Sequence, residues 1–305
     1  MSVAKAFKLG VGAIAWTNPG TPEFEDKYTA EEILSQMSAI GFDGTEMNRK
    51  FPTDPSDLQA ALKRHRLEIS SQFKFVLFSD RSCAAQEQEA FRKHADFLHG
   101  LNCSYVIVCE AGGSPFWDPR QPDSGVAVRL NEQGWQALTD NLHEAGAYCR
   151  RLGMRLLFHY HAATPVEQRE EIDELMSRTD PELVSLLFDT GHALYGNYEP
   201  IELLCKYGSR IRYLHLKDVR LDVLARVRRE GLNFRQAVVE GLFTVPGDGG
   251  IDYEPILRYL LETGFDSWAL IEAEQNPATA DPYEYSAKGK RHIEQWIEKL
   301  KQVES

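Results

Sequence analysis

The stretch "LLFDTGHALYG" (186–196) decides the fold of this chain, because an apolar run ends there abruptly in polar residues. The run predicts a buried strand, and Asp189, Gly191 and His192 follow it at once. A strand that is apolar on both faces suits a parallel sheet covered by helices. Polar residues after the strands of such a sheet gather at one edge, so the stretch predicts an α/β fold with a site at that edge.

Seven further apolar runs alternate with helical patterns along the chain. The predicted strands are 8–16, 44–47, 68–73, 105–110, 155–161, 184–189, 211–217 and 268–274. No GxGxxG motif follows the first strand, which argues against an open doubly wound sheet. Eight strand–helix units in 305 residues match a (β/α)8 TIM barrel. We therefore predict one TIM-barrel domain over residues 1–305, with a helical insertion at about 219–242 between the seventh and eighth strands.

Local signals agree with this organisation. Thr29 and Glu32 form a predicted capping box, and Gly41 marks the end of that helix. The sequences "IGFDGTEM" and "TGFDSWAL" are similar, which indicates the same helix-to-strand junction built twice. The glycine-rich "VPGDGG" (245–250) lacks the Lys-Ser/Thr ending of a phosphate-binding loop. We predict a tight turn there.

The composition limits the partners and the compartment. The formal net charge of −12 disfavours binding to nucleic acid, whose phosphates require a basic surface. No stretch approaches the roughly 20 apolar residues that span a bilayer. Five cysteines without a CxxC pair predict reduced thiols rather than a disulfide framework, and hence a cytoplasmic protein.

Histidines and acids end most of the predicted strands. In a parallel barrel the carboxyl ends of all eight strands open onto one face, so these side chains converge. An isolated acid at a strand end is more often a turn former or a helix cap, but a series of strands that end in this way is not explained by capping. These residues are Glu46, Glu110, His159, His161, Asp189, His215, Lys217, Glu272 and Glu274.

The residue types indicate a divalent metal ion. Imidazole and carboxylate ligands together suit Mn, Co, Fe or Zn better than Ca. Because side chains alternate along a strand, the members of each pair His159/His161, His215/Lys217 and Glu272/Glu274 point to the same side. One member of each pair can bind metal while the other stands nearer a substrate, and the alternation does not decide which.

Several blocks of the sequence together resemble the inosose dehydratase family, which belongs to the xylose isomerase-like barrels. The resemblance covers most of the chain and is strongest from 155 to 290. "FTVPGDGGIDY" and "IEAEQNP" are its most specific parts. The blocks are "VGAIAWTNPG" (11–20), "GTEMNRKFPTDP" (44–55), "LLFDTGHALYG", "RIRYLHLKDVR" (210–220), "GLFTVPGDGGIDYEPIL" (241–257) and "WALIEAEQNP" (268–277).

The resemblance implies a metal-dependent hydro-lyase of inositol catabolism. Such an enzyme removes water from 2-keto-myo-inositol (scyllo-inosose), a small cyclic keto-polyol, and gives a trihydroxycyclohexane-1,2-dione. One divalent ion, Mn or Co before Zn, Fe or Mg, is implied. Its ligands come from strands five to eight, and on this sequence they are His159, Asp189, His215 and Glu272.

The resemblance also suggests roles for other residues. His161 or Glu272 is the candidate base, and His192 or Lys217 is the candidate acid for the leaving hydroxyl. Candidates for binding the substrate are Trp16, Asn18, Glu46, Lys50, Glu110 and Glu274. Association into a homo-oligomer through the 219–242 segment is a further expectation.

The sequence departs from the wider group at strand five. Isomerases and epimerases of these barrels carry a glutamate there, whereas "FHYHAAT" (158–164) offers histidines alone. Inosose dehydratases more often have three successive histidines, and here Tyr160 replaces the middle one. We expect Tyr160 to face the barrel wall, and whether His159 or His161 is the strand-five ligand stays open.

Three other functions fit parts of the pattern. A metal-dependent ketose isomerase or 3-epimerase shares the metal and the carbonyl chemistry, and only strand five and the family blocks speak against it. An abasic-site endonuclease of the related zinc barrels needs more histidines and a basic groove. A barrel that had lost catalysis would not be expected to keep its ligand set.

Overall fold

A computed structural model describes residues 7–21, 23–118 and 127–303 of the chain. Its strands are β1 (Lys8–Val11), β2 (Gly44–Thr45), β3 (Glu68–Ile69), β4 (Phe73–Val76), β5 (Tyr105–Glu110), β6 (Arg155–Phe158), β7 (Val184–Asp189), β8 (Ile211–Leu216), β9 (Asp218–Val219), β10 (Phe243–Thr244) and β11 (Trp268–Ile271). Its α-helices are α1 (Ala30–Ile40), α2 (Pro55–His65), α3 (Ala84–Gly100), α4 (Glu132–Arg151), α5 (Arg169–Arg178), α6 (Thr190–Tyr195), α7 (Pro200–Tyr207), α8 (Leu221–Glu230), α9 (Phe234–Val239), α10 (Tyr253–Glu262) and α11 (Pro282–Val303). Within the described ranges, no helix combines the length and the apolar character needed to cross a membrane.

The main sheet is parallel and curls into a barrel. Its strand order is β3-β2-β1-β11-β8-β7-β6-β5-β4, so the first and last strands of the chain are neighbours. The two ends of this order, β3 and β4, are separated only by residues 70–72 and form one broken third strand. β3 pairs with β2 and β4 pairs with β5, which closes the sheet. The predicted (β/α)8 barrel is therefore confirmed.

Side chains of the barrel strands form two layers. Ile107, Leu157, Leu187, Tyr213 and Leu270 belong to a buried cluster inside the barrel. Residues at the alternate positions belong to a larger cluster between the barrel and its helices; they include Val106, Val108, Leu156, Phe158, Leu186, Phe188, Leu214, Leu216, Ala269 and Ile271. Because side chains alternate along the regular part of a strand, a polar residue at a strand end points inward if it shares the register of the inner cluster.

The first predicted strand is shorter than its apolar run. β1 ends at Val11, and Gly12 donates its backbone N–H to the carbonyl of Ile271. A 3-10 helix, Ala13–Ala15, then turns the chain away from the sheet. Trp16 follows this turn; it is fully buried, and its Nε1 donates to Oε1 of Gln36 at 2.6 Å. The prediction of a strand over 8–16 is therefore too long by the length of this turn.

The predicted helix signals appear at α1. Thr29 and Glu32 form the capping box, and Gly41 ends the helix in the left-handed conformation with φ 87°. This conformation suits glycine because it has no Cβ. Local sequence and tertiary structure agree at this helix.

The segment between β8 and β11 carries two additional helices above the barrel. α8 and α9 stand on the antiparallel pair β9–β10, in which Phe243 lies opposite Val219. They occupy the segment predicted as a helical insertion. Phe234, at the start of α9, packs with Phe243 in a second buried cluster that is separate from the barrel core.

The glycine-rich loop 245–250 wraps around a carboxylate of the chain itself. Oδ2 of Asp218 accepts the backbone N–H of Gly247 at 3.0 Å and of Gly249 at 3.2 Å, and its Oδ1 accepts that of Ile251 at 2.9 Å. Converging backbone N–H groups of this kind form an anion site. Asp218 fills it, so the loop is the predicted turn and it fixes the start of α10.

Candidate metal centre

Strand alternation brings the predicted polar residues into the barrel mouth. His159 and His161 continue the register of Leu157, which belongs to the inner cluster. Asp189 likewise continues the register of Leu187. The same holds for His215 and Lys217 after Tyr213, and for Glu272 and Glu274 after Leu270. Seven ionisable side chains thus share one small volume at the carboxyl end of the barrel.

Four of these side chains form what we call the lower group: His159, Asp189, His215 and Glu272. One ligand atom from each lies within 4.8 Å of the others. Nε2 of His159 and Nδ1 of His215 are each 3.6 Å from Oδ2 of Asp189. Nδ1 of His215 is 2.6 Å from Oε2 of Glu272 but lacks the alignment of a hydrogen bond.

Three atoms of the lower group are buried without a hydrogen-bond partner. They are Oδ2 of Asp189, Nδ1 of His215 and Oε2 of Glu272. Burying a polar atom without a hydrogen-bond partner costs about 1–3 kcal/mol, so three such atoms at one point favour a ligand that would contact all of them. Two imidazole nitrogens and two carboxylate oxygens suit a divalent transition metal ion. The residues of the lower group therefore fit the metal ion that the sequence implies.

Neighbouring groups hold the lower group in place. Tyr160 donates its hydroxyl to the carbonyl of Asp189 at 2.7 Å and accepts the backbone N–H of Asp189 at 2.8 Å. Oδ1 of Asp189 accepts the backbone N–H of His192 at 2.8 Å and so caps α6. Nε2 of His215 lies 2.7 Å from Oε1 of Glu46. Such contacts orient metal ligands and fix histidine tautomers.

A second set, which we call the upper group, comprises His161, His192, Lys217 and Glu274. Nζ of Lys217 lies 3.0 Å from Nε2 of His192 and 3.0 Å from Oε2 of Glu274. Nε2 of His161 lies 3.9 Å from Oε1 of Glu274, and the imidazole rings of His161 and His192 are 3.8 Å apart. In contrast to the lower group, none of these four side chains has a buried polar atom without a partner.

Burial and mutual charge shift the pKa values of the upper group. Burial lowers the pKa of His161 to about 4, so its imidazole is neutral near neutral pH. Burial raises the pKa of Glu274 to about 7, against the opposing effect of the Lys217 ammonium. Burial disfavours the charged form of Lys217, but Glu272 and Glu274 outweigh it and raise its pKa.

A cavity of about 250 Å³ lies above the lower group. His159, His215 and Glu272 reach its floor, and His161 and Glu274 stand at its side. Other lining residues divide by chemistry. The aromatic ones are Phe73, Phe75 and Trp117, and the polar ones are Thr17, Asn18, Glu46, Asn48, Arg49 and Gln72.

The predicted substrate-binding residues separate into two sets. Asn18, Glu46 and Glu274 line the cavity, whereas Trp16, Lys50 and Glu110 do not. Trp16 is turned toward α1, as described above. Nζ of Lys50 lies 2.8 Å from the carbonyl of Tyr28 and 2.8 Å from Oδ1 of Asp26.

Glu110 faces the helix layer because it shares the register of Val106 and Val108. It is fully buried, and its Oε2 accepts the backbone N–H of Phe78 at 2.8 Å and of Ser79 at 3.1 Å. Its Oε1 accepts the backbone N–H of Gly112 at 2.7 Å. This geometry does not support the substrate contact that the sequence suggested for Glu110. Its carboxylate instead joins the segment at residues 78–79 to the one at Gly112 by hydrogen bonds.

The candidate catalytic residues also lie at different depths. His161 and Glu272 border the cavity. His192 and Lys217 are buried behind His161 and are not part of the cavity lining. Neither residue can therefore transfer a proton directly to a substrate in the cavity, as the sequence suggested. A proton from either of them would have to pass through His161 or Glu274.

Several cavity residues were not found from the sequence, among them Thr17 and Asn48. Arg49 lines the cavity next to Lys50, which points away, and no sequence pattern orients two neighbours in a loop. Phe73 and Phe75 alternate inward from the second half of the broken third strand. Gln72 and Trp117 lie in connecting segments. Period-two alternation past residue 73 could have indicated the two phenylalanines.

Known proteins share this fold and much of this sequence. The xylose isomerase-like TIM barrel family matches residues 34–299. Inosose dehydratase from Geobacillus kaustophilus (strain HTA426) is 50% identical over 295 residues, which are 96% of this chain and 96% of that protein. Inosose dehydratase from Clostridium beijerinckii (strain ATCC 51743 / NCIMB 8052) is 41% identical over 94% of this chain and 96% of its own length.

A solved structure agrees with the fold. The crystal structure of IOLI protein with a zinc atom superposes with a TM-score of 0.65 at 18% identity, over 97% of this chain and 96% of that one. At this identity the likeness shows the fold alone, whereas the matched family and the close relatives establish kinship. The chain belongs to the inosose dehydratase family of the xylose isomerase-like TIM barrels.

Proposed function

We propose that this protein is a metal-dependent inosose dehydratase, a hydro-lyase that removes water from 2-keto-myo-inositol in inositol catabolism. The observation that carries the proposal is the lower group: it has three buried ligand atoms without a hydrogen-bond partner, and three of its residues, His159, His215 and Glu272, line the cavity. The chain is also 50% identical to a protein named inosose dehydratase over 96% of its length. The product would be a trihydroxycyclohexane-1,2-dione.

The cavity suits a flat ring that carries hydroxyls around its edge. In 2-keto-myo-inositol every hydroxyl is equatorial in the chair form, so both ring faces present only axial C–H bonds. Phe75 and Trp117, whose rings stack 4.8 Å apart, supply an apolar wall for such a face. Asn18, Glu46 and Arg49 supply donors and acceptors for the hydroxyls.

Elimination next to a ketone requires an electrophile, a base and an acid. His159, Asp189, His215 and Glu272 would hold a divalent ion, which would supply the electrophile, because a Lewis acid polarises a carbonyl and acidifies the adjacent C–H. The base must accept the proton from the carbon next to the carbonyl, and the acid must protonate the hydroxyl on the following carbon.

His161 is the proposed base and Glu274 the proposed acid. Nδ1 of His161 lies 2.8 Å from the carbonyl oxygen of Ala162 and therefore carries the proton of the neutral imidazole. Nε2 is then unprotonated, and the ring borders the cavity. The α proton passes to this Nε2, a C=C bond forms, and the β hydroxyl leaves as water with a proton from Glu274. The resulting enol becomes the dione when its hydroxyl loses a proton and the β carbon gains one. Nε2 of His161 is 3.9 Å from Oε1 of Glu274, close enough for the proton to return with a small side-chain movement and reset both groups.

The first experiment tests the reaction itself. Purified protein is stripped with chelator, given 2-keto-myo-inositol, and supplied singly with Mn, Co, Zn or Mg while dione absorbance is followed. We expect Mn or Co to restore the largest rate. Interconversion of two ketoses without dione would instead establish the isomerase or 3-epimerase alternative.

The second experiment tests the two proton-transfer roles. His161→Gln and Glu274→Gln should each lower kcat by about 100-fold or more while the metal content stays near that of the parent protein. His99→Gln, on the exposed face of α3, is the matched control. Parent-like kcat in either site variant would remove that residue from the mechanism.

The proposed setting is a cytoplasmic enzyme that acts on a small polyol and binds neither nucleic acid nor membrane. A net charge of −12 and the absence of disulfides among the five cysteines, all within the described residues, support it. The α8–α9 segment is the surface we propose for self-association into a homo-oligomer; Leu221 and Val239 are exposed on it. Light scattering with Leu221→Lys and Val239→Lys tests this.

A further inference from the structure

We propose that the ammonium group of Lys217 occupies the position of a second metal ion and thereby limits the centre to one divalent ion per chain. This inference rests on the metal centre of the proposed function. It concerns the upper group, which has the ligand chemistry of a second site.

The upper group could hold a cation without Lys217. His161, His192 and Glu274 each offer one ligand atom, and these atoms lie within 4.8 Å of one another. All three side chains are buried. Nδ1 of His161 lies 2.8 Å from the carbonyl of Ala162, so Nε2 keeps its lone pair on the side of Glu274, as in histidines that ligate metals.

Nζ of Lys217 fills this position. It is 3.0 Å from Nε2 of His192 and 3.0 Å from Oε2 of Glu274. It is also 3.5 Å from Oε1 of Glu272 and 3.7 Å from Oδ2 of Asp189, two carboxylates of the lower group. Asp189 and Glu272 thus belong to the lower group and also contact the ammonium, as shared carboxylate ligands contact both members of a metal pair.

The surrounding backbone leaves the lysine side chain little freedom. Its main chain is held at both sides by the hydroxyl of Thr190, which accepts the N–H of Lys217 at 3.0 Å and donates to its carbonyl at 2.7 Å. A Cβ on Gly191 would lie 2.6 Å from Cγ of Lys217, so the stem fills the space that this glycine leaves open. Phe243 lies 5.1 Å from Nζ. The ammonium is thus built into the site.

Charge balance agrees with a single ion. When Glu274 is ionised, Asp189, Glu272 and Glu274 contribute three negative charges to the interior of the site, and one divalent ion with the ammonium would contribute three positive charges. When Glu274 is protonated for its role as the acid, the negative charge falls to two and a second divalent ion is still less favourable. Glu46, the fourth carboxylate, borders the cavity and contacts the His215 imidazole. Because unpaired buried charge is costly, a second divalent ion beside the ammonium would leave an excess of positive charge.

The test is the metal stoichiometry of variants. Each protein is loaded with Mn²⁺, desalted and measured by inductively coupled plasma mass spectrometry, with electron paramagnetic resonance to detect coupled Mn pairs. We expect one ion per chain in the parent protein and two in Lys217→Ala, with a coupled signal. Lys217→Met, which fills the space without charge, should stay at one. Lys217→Ala combined with Glu274→Gln should return to one.

Each outcome decides a different point. Two ions in the parent protein, or one ion in folded Lys217→Ala, would overturn the role of Lys217. No bound ion in the parent protein would overturn the metal centre itself. Circular dichroism monitors folding, and Lys217→Ser serves as the second small variant if Lys217→Ala does not fold; a single ion in folded Lys217→Ser would equally refute the proposal.

Discussion

The lower and upper groups lie side by side in the same barrel mouth, yet they satisfy their polar atoms in opposite ways. The lower group leaves Asp189, His215 and Glu272 each with one buried atom that has no hydrogen-bond partner. In the upper group, Lys217 donates to Glu274 and contacts His192 directly. The first arrangement needs an external cation, whereas the second contains its own.

This difference shows how one barrel can hold two clusters of ligand-type residues and still specify one ion. Ligand chemistry alone would assign metal to both groups, because each contains histidine and carboxylate. The presence of a fixed internal cation separates them. We expect the following changes to affect the metal centre in decreasing order, down to no effect for a carboxylate that lies outside both groups.

The largest effect is expected from Asp189→Asn. An asparagine keeps an oxygen that can cap α6, but it has no negative charge and carries an amide nitrogen in place of Oδ2. Metal content and dione formation should fall by more than about 100-fold, the upper limit for loss of a supporting contact. Asp252→Asn, at the exposed cap of α10, is the control. Normal metal content in Asp189→Asn would refute the lower group as the centre.

Removal of the metal by chelator should come next. The lower group then brings Asp189 and Glu272 together without a divalent ion, and only the more distant ammonium of Lys217, at 3.5–3.7 Å, offsets their charge. If free metal exceeds its Kd about 100-fold, binding contributes about 2.7 kcal/mol, and chelation should lower Tm by about 5 °C. Scanning calorimetry with and without chelator measures this. Chelation of Asp189→Asn should change Tm little, and an equal shift in both proteins would contradict the assignment.

Tyr160→Phe should have a moderate effect. It removes two hydrogen bonds to the backbone of Asp189 but no ligand. Metal affinity should fall about 10- to 100-fold, as for other contacts that orient ligands. Isothermal titration with Mn²⁺ gives the value, and Tyr259→Phe on α10 is the control. Unchanged affinity would mean that Asp189 is positioned by its own strand.

Glu110→Gln should leave the centre unaffected and destabilise the fold. Its carboxylate only accepts hydrogen bonds, from Phe78, Ser79 and Gly112, and an amide nitrogen cannot replace one of its oxygens. We expect a loss of about 1–3 kcal/mol in the free energy of unfolding, with KM and metal content unchanged. Urea unfolding and steady-state kinetics measure both. An altered KM with unchanged stability would restore Glu110 as a substrate contact.

The sequence was sufficient to predict the barrel and the residues that gather at its mouth. Apolar runs ending in His, Asp or Glu gave the strand ends, and alternation placed the pairs His159/His161 and Glu272/Glu274 inside. The same alternation explains the placement of Glu110, which shares the register of Val106 and so faces the helices. Counting strand ends without testing this register grouped Glu110 with the site.

The remaining cavity residues depend on tertiary structure. The 3-10 helix after β1 turns Trp16 toward Gln36, and an apolar run does not reveal where it stops being a strand. Trp117 lies in a connecting segment, and its ring is placed at the cavity by packing against Phe75 and Phe234. Distances in the folded protein likewise decide whether Lys217 or a metal ion fills the upper group, because the sequence shows only that a lysine and several histidines follow neighbouring strands.

The contacts of Phe234 and Phe243 indicate which residues would have to accompany the α8–α9 insertion if it were moved to another barrel. The ring of Phe234, on α9, lies 5.5 Å from that of His161 and 6.3 Å from that of His192. Phe243, at the base of the insertion, lies 5.1 Å from His192. We therefore expect a graft of the insertion onto another barrel to need these histidines as well, whereas the cap of α6 by Asp189 involves only the strand and helix of the barrel itself. Recombination within this family should exchange the insertion and the two histidines as one unit.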